Sequence, residues 1–208
     1  MAPQTQSHAS LLHAHTSSFL AALTPPSPPP SPPALLSEHF TPQNPTVYEH
    51  GPPFTQRLLP FLGRPFTGRD ECVQYFELMG AALELQIQNG TVSISADPDL
   101  VDDGDFEKGA SQGNVASGGG DGWKKCPGRV VATGRCRCVC RATGRAWDEH
   151  VVWVFSGFER LNGVGGGGYD RVRFARWDIW ADAASAWVAA GGGDAESVGW
   201  GRGQERDG

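Results

Sequence analysis

The hydrophobic period of this chain changes once, near Leu83. Before that point apolar residues recur at helical spacing, with one extended interruption; beyond it they alternate as strands require. Ser7 to Leu23 places Leu12, Phe19 and Leu23 along one helical stripe, and Ala34 to Phe40 reads as a short second helix. Thr46 to His50 is extended. A third helix carries Val73, Phe76, Met79 and Leu83, and Thr67, three residues ahead of Asp70, reads as a capping box that opens it. Leu85 and Ile87, then Asn89-Gly90, then Val92 and Ile94 predict a short hairpin. Three further strands are predicted over Val130 to Arg141, Val151 to Phe158 and Val172 to Trp180. Thr143-Gly144 and the run Gly163 to Gly168 are the turns between them. Asp182 is placed to cap a terminal helix that Gly191 to Gly193 would end. Helices first and sheet afterwards predict an α+β fold, with helices packed on one face of a curved, mostly antiparallel sheet.

A chain of 208 residues is long enough for one sizeable core and short for two, so one domain over 1–190 is expected. The 28 glycines and 16 prolines are concentrated in a few segments rather than in the periodic ones. These mark a Pro-rich loop over 24–33, an acidic Gly-rich insertion over 97–125 and a disordered tail over 191–208. PPSPPPSPP, from Pro25 to Pro33, reads as a stiff loop, with an SH3 or WW ligand as the minor alternative.

Several function classes are disfavoured. A net charge of -6 with no dense Lys/Arg patch argues against nucleic-acid binding. The N-terminus has no basic n-region, and its most apolar run, Ser18 to Leu23, follows His13, His15 and Thr16; neither a signal peptide nor a membrane span is expected, and the predicted location is cytoplasmic. Five cysteines, an odd number, suggest free thiols rather than a disulfide framework. Cys136, Cys138 and Cys140 alternate along one strand, where same-side residues lie roughly 6.7 Å apart, too far to share one tetrahedral ion. They read as a buried face opposite Arg135, Arg137 and Arg141. The six carboxylates between Asp97 and Glu107 do not form a calcium loop, because setting Gly104 at the turn leaves Val101 and Ala110 at ligand positions. No metal and no cofactor are expected.

Gly63-Arg64-Pro65-Phe66-Thr67-Gly68-Arg69-Asp70, Thr143-Gly144-Arg145-Ala146-Trp147-Asp148-Glu149 and Trp177-Asp178-Ile179-Trp180-Ala181-Asp182, together with the order of elements, resemble the NTF2-like superfamily. Within it they resemble the SnoaL-like proteins, which include polyketide cyclases, ketosteroid isomerases and scytalone dehydratase. The resemblance implies a cone-shaped domain with an apolar pocket between sheet and helices, and a homodimer formed through the open sheet face.

It also implies candidate chemistry. Ketosteroid isomerases carry a proton-shuttling carboxylate just after a Thr-Val pair on the first strand, and matching that pair to Thr46-Val47 puts Glu49 at the base position. Burial of a carboxylate in an apolar pocket raises its pKa and improves it as a base near neutrality. His50 is the alternative acid or base and Tyr48 a polar partner. Because neighbours on a strand face opposite ways, Glu49 could instead point outward with Tyr48 or His50 inward. The second acid of the isomerases falls at Val154, so oxyanion stabilisation would need Tyr48 or a tryptophan N–H. Phe76, Trp153, Trp177 and Asp178 are the expected pocket residues. Two functions remain open: a cofactor-free lyase, isomerase or cyclase acting on a small cyclic, polyketide-like substrate by proton transfer, or a non-catalytic module that binds a small apolar or aromatic ligand or dimerises.

Overall fold

The computed structural model describes residues 7–24, 30–100, 123–161 and 171–193. Most of the Pro-rich loop, the centre of the acidic insertion, the run Gly163 to Gly168 and most of the tail lie outside the described residues. Helix α1 (His8–Ala22) begins at Ser7, whose hydroxyl accepts the Ser10 N–H at 3.2 Å. Helix α2 (Pro32–His39) carries proline in its first turn, where the missing N–H removes no intrahelical bond. Strand β1 (Thr46–His50) and the short β2 (Pro65–Thr67) precede helix α3 (Arg69–Ala82). The cap of α3 differs from the sequence expectation. Gly68 is the N-cap, and the Glu71 carboxylate reaches back to accept the Thr67 N–H at 2.8 Å. The reciprocal carboxylate bond exists, but it is displaced by one residue because Thr67 is drawn into β2.

The rest of the chain is β3 (Leu83–Ile87), β4 (Ser93–Asp97), β5 (Trp123–Lys125), β6 (Arg129–Cys140), β7 (Ala146–Leu161), β8 (Arg171–Trp180) and helix α4 (Ala183–Ala189). The sheet runs β2-β1-β8-β7-β6-β3, with β4 also on β6 and β5 on β7. Only β1 and β8 pair in parallel; every other pairing among these strands is antiparallel.

The hairpin expected at Asn89-Gly90 is not formed. Leu83–Ile87 pairs with Cys140–Cys136 and Ser93–Asp97 pairs with Thr133–Arg129, so both segments run the same way along β6. Asn89-Gly90 makes a tight excursion within one edge strand. Gly90 takes φ 74°, and the Thr91 hydroxyl anchors the loop by donating to Gln88 O and accepting from Arg135 N–H. The turn residues were legible; that β6 is long enough to pair both arms was not.

Helices α1, α2 and α3 cover the inner face. Phe19 of α1 meets Phe40, Phe155, Phe174 and Trp177 edge-on, at centroid distances of 5.0 to 5.8 Å, the arrangement that ring quadrupoles favour. Strict alternation would send Phe155 and Phe158 to opposite faces, yet both are buried in this core. The phase changes at Gly157, at φ 65°, where a Cβ would lie 2.9 Å from that of Ala175. Strand β8 changes phase alongside it, between Phe174 and Trp177, so all four rings turn inward. Asp182 caps α4, its carboxylate accepting the Ser185 N–H at 3.0 Å.

Candidate functional site

Register fixes which face each side chain of β1 takes. Glu49 pairs with Ile179, Ile179 with Trp153 and Trp153 with Ala132, and this row lies on the helix-covered face. Two residues away, Val47, Trp177, Phe155 and Val130 form a parallel row. Between these rows and α3 lies a cavity of about 650 Å³, within the range of ligand pockets. Glu49, Tyr75, Phe76, Trp153 and Trp177 are among its walls, and Leu23, Pro30, Pro32 and Leu35 bring the α1–α2 connection to it.

Glu49 is 9% exposed. The Tyr75 hydroxyl donates to its Oε2 at 2.6 Å, while Oε1 has no hydrogen-bond partner among the described residues. Burial pushes the Glu49 carboxyl up to about 7; the Tyr75 bond pulls the other way and the nearby Glu149 carboxylate adds to the rise. Burial also drives the Tyr75 phenol well above its ordinary value, with the charge of Glu49 adding to it, so this hydroxyl stays a donor.

Glu149 is the site residue that the sequence reading missed. It enters the cavity wall from β7, in register with Cys136, and is itself buried. Its Oε1 accepts the Cys138 S–H at 3.2 Å and its Oε2 accepts the Asp182 N–H at 2.8 Å. Burial raises its pKa, and these bonds oppose the rise. The expected strand began at Val151, which left Glu149 in a turn, whereas β7 begins at Ala146. Alternation of Trp147, Glu149, Val151 and Trp153 was the available signal: an acid in the inward phase. The place of the isomerases' second acid, Val154, faces outward beside Asp178.

The other expected site residues are divided between the faces. Phe76, Trp153 and Trp177 line the cavity. Tyr48, His50 and Asp178 do not: Tyr48 pairs with Asp178 and His50 with Trp180 in outward rows. There the His50 ring lies between Tyr48 at 3.9 Å and Trp180 at 4.1 Å, the latter stacked at 9°. Its Nε2 is 3.1 Å from Asp178 Oδ1, and Arg176 donates to both Asp178 oxygens at 2.6 and 2.8 Å. The physical reason is the period of two: Glu49 inward obliges both neighbours outward. His150 is exposed on the same outer side.

Cys136, Cys138 and Cys140 are buried along the inner face of β6, with free thiols, and Arg135, Arg137 and Arg141 lie opposite. Burial and the two glutamates raise the Cys136 thiol to about 12, so it is a poor nucleophile. Among the described residues no group of His, Cys, Asp or Glu has the arrangement of a metal site. No helix among the described residues is long and apolar enough to cross a membrane.

No protein-family model matches the chain, and no curated protein does. Solved structures do. A candidate isomerase from Bacillus subtilis superposes with a TM-score of 0.51 at 10% identity, over 91% of this chain and 99% of that one. An NTF2-like protein from Burkholderia xenovorans gives 0.49 at 11% identity, covering 86% and 94%. A ketosteroid isomerase-like protein from Erwinia carotovora atroseptica gives 0.46 at 12% identity, covering 86% and 98%. At such identities the likeness is one of architecture: the chain shares with the Bacillus subtilis structure an α+β fold, helices packed on a curved and mostly antiparallel sheet.

Proposed function

We propose that the chain is a cofactor-free proton-transfer catalyst of the SnoaL-like kind, a lyase, isomerase or cyclase acting on a small cyclic, polyketide-like substrate, with Glu49 as the acid–base group. The carrying observation is a buried carboxyl on the wall of an aromatic cavity, with one tyrosine bond, a second oxygen that has no partner among the described residues, and a pKa raised to about 7. A base with that proton affinity is poised to take a proton from carbon at neutral pH and return it elsewhere on the same ring. Tyr75 holds the carboxyl in place, and Glu149 tunes it through the field they share.

The test does not depend on which of these reactions is run. Cyclic ketones and phenols that stabilise the protein in a thermal-shift screen are incubated with it in deuterated water and analysed by mass spectrometry. Deuterium should enter carbon positions of bound ligands with the wild type, and at least about a hundredfold more slowly with Glu49→Gln. Tight ligands that acquire no deuterium above the buffer control would remove the catalytic reading.

A second reading, a non-catalytic binding module, draws on a different observation. Both Glu149 oxygens accept internal hydrogen bonds and the Tyr75 hydroxyl is spent on Glu49, so the Tyr75, Cys138 and Asp182 donors around the two carboxylates are already committed. We further propose homodimerisation through the outer face. Two adjacent rows there carry Val131, Val154 and Tyr48, then Val152, Trp180 and His50, and Trp180 is 42% exposed.

A further inference from the structure

The cavity combines three features: aromatic walls, two buried carboxylic side chains and, among the described residues, no internal cation. Glu49 and Glu149 reach it from β1 and β7. Its only Lys, Arg or His walls among the described residues are Arg137 and Arg141, both about half exposed at the rim and committed to Asp148 at 3.2 Å and Glu84 at 2.7 Å. Glu49 Oε1, nine-tenths buried with its side chain, has no partner among the described residues. The groups around the pair are Tyr75 from α3, Cys136 and Cys138 from β6, Trp147 from β7 and Asp182 at the start of α4; none is a cation. The Tyr75 hydroxyl, Cys138 S–H and Asp182 N–H are spent on the two carboxylates and Cys136 offers only a weak S–H; of the indole N–H groups without a partner among the described residues, that of Trp147 belongs to a side chain outside the cavity wall and that of Trp177 is buried in the ring cluster with Phe19, Tyr75, Phe76 and Phe155. Such a wall is suited to positive charge and poorly suited to an oxyanion.

We propose that this cavity takes a ring-bodied organic cation, a protonated amine or an iminium, with the charge set against Glu49 and Glu149 and the ring against Trp153, Trp177, Phe76 and Tyr75. Buried carboxylates favour the cation by charge pairing and the aromatic faces by their quadrupoles. The chemistry that follows rests on the reading of Glu49 as a proton-transfer group. From an iminium bearing an adjacent C–H, Glu49 takes the proton. The C–H pair becomes the new C=C bond, the former C=N π pair becomes the nitrogen lone pair, and the product is a neutral enamine. Protonation at carbon reverses the step or moves the double bond. No oxyanion forms, so no oxyanion donor is needed.

The experiment compares two bicyclic probes of similar size on the wild-type protein: the N-methylated 1,2-dimethyl-3,4-dihydroisoquinolinium ion, which has no N–H to lose, and neutral 1-tetralone. Calorimetric titration at pH 8 should show the cation binding at least tenfold more tightly, and Glu49→Gln/Glu149→Gln should erase that ratio while 1-tetralone affinity holds within about threefold. Single Glu49→Gln, which leaves the Glu149 bonds to Cys138 and Asp182 intact, should reduce the ratio if the double variant does not fold. Failure of the cation to bind, or equal or tighter binding of 1-tetralone, overturns the proposal. Deuterium entry into the C1 methyl of the bound cation, faster than in buffer alone and slowed by Glu49→Gln, separates the two readings. Cation preference without exchange would keep the ligand class and remove Glu49 as a catalyst; exchange on neutral ketones without cation preference would do the reverse.

Discussion

Glu49 shows how one side chain can burden the fold that holds it. Its folded pKa of about 7 lies above the ordinary 4.5 of a carboxyl, so the native state holds the proton more tightly than the unfolded chain does. Stability from this group is therefore fully present below about pH 4.5 and is lost as pH rises through 7, an effect of about 3 kcal/mol. Glu49→Gln should accordingly raise the midpoint of urea unfolding at pH 8 and leave it nearly unchanged at pH 4. An equal shift at both pH values would mean that Glu49 is not charged in its buried place. Tyr75→Phe should raise the Glu49 pKa further, because the phenol bond favours the ionised form. A carboxyl titration followed by NMR in that variant would read the change, and a lower pKa would contradict the hydrogen-bonded arrangement.

At the scale of elements, α1 and α2 are docked by a pair of histidines. His15 Nε2 lies 3.1 Å from His39 O, the two rings are 5.1 Å apart, and His15 meets Phe174 edge-on at 5.6 Å. Burial lowers both imidazoles to about 4, and the charge of Arg173 acts in the same direction on each. Well above pH 6.5 neither group carries a proton in either state. Between 6.5 and 4 the unfolded chain takes up protons that the native state refuses, so stability falls as pH falls, by about 3 kcal/mol for buried His39 and less for His15. His39→Gln should flatten the decline in thermal midpoint over that window. An undiminished decline would place the acid sensitivity elsewhere. Since Leu23 and Leu35, at the ends of this helix pair, help wall the cavity, the same protonation should loosen its mouth before the sheet unfolds.

For the whole molecule, the sheet has two unlike faces. The inner one carries the ring core and the acidic cavity; the outer one carries Tyr48, His50, Trp180, Val131, Val152 and Val154 around the Asp178 network. If copies of the chain meet there, light scattering should report twice the 22.2 kDa chain mass at micromolar concentration, and Trp180→Glu should yield the monomer with the cavity intact. A monomer in the wild type would remove the dimer proposal.

The α+β class, the order of the helices and of the longer strands and the inward cysteines of β6 were legible in the sequence, because each depends on the period of apolar residues and on turn or cap residues close along the chain; the three-residue β2 and β5 are too short to show a period. The Thr46-Val47 match pointed to Glu49, but the chain alone left open whether Glu49 or its neighbours faced inward. Tertiary structure decided that, since the pairing of β1 with β8 sets the phase of every side chain on the strand. It also turned the Asn89-Gly90 hairpin into an excursion along β6, and drew Glu149 out of an expected turn into the wall beside Glu49. Those outcomes depend on partners distant along the chain. Local periodicity cannot encode them, because register is chosen by which faces bury together and not by any one segment's own preference.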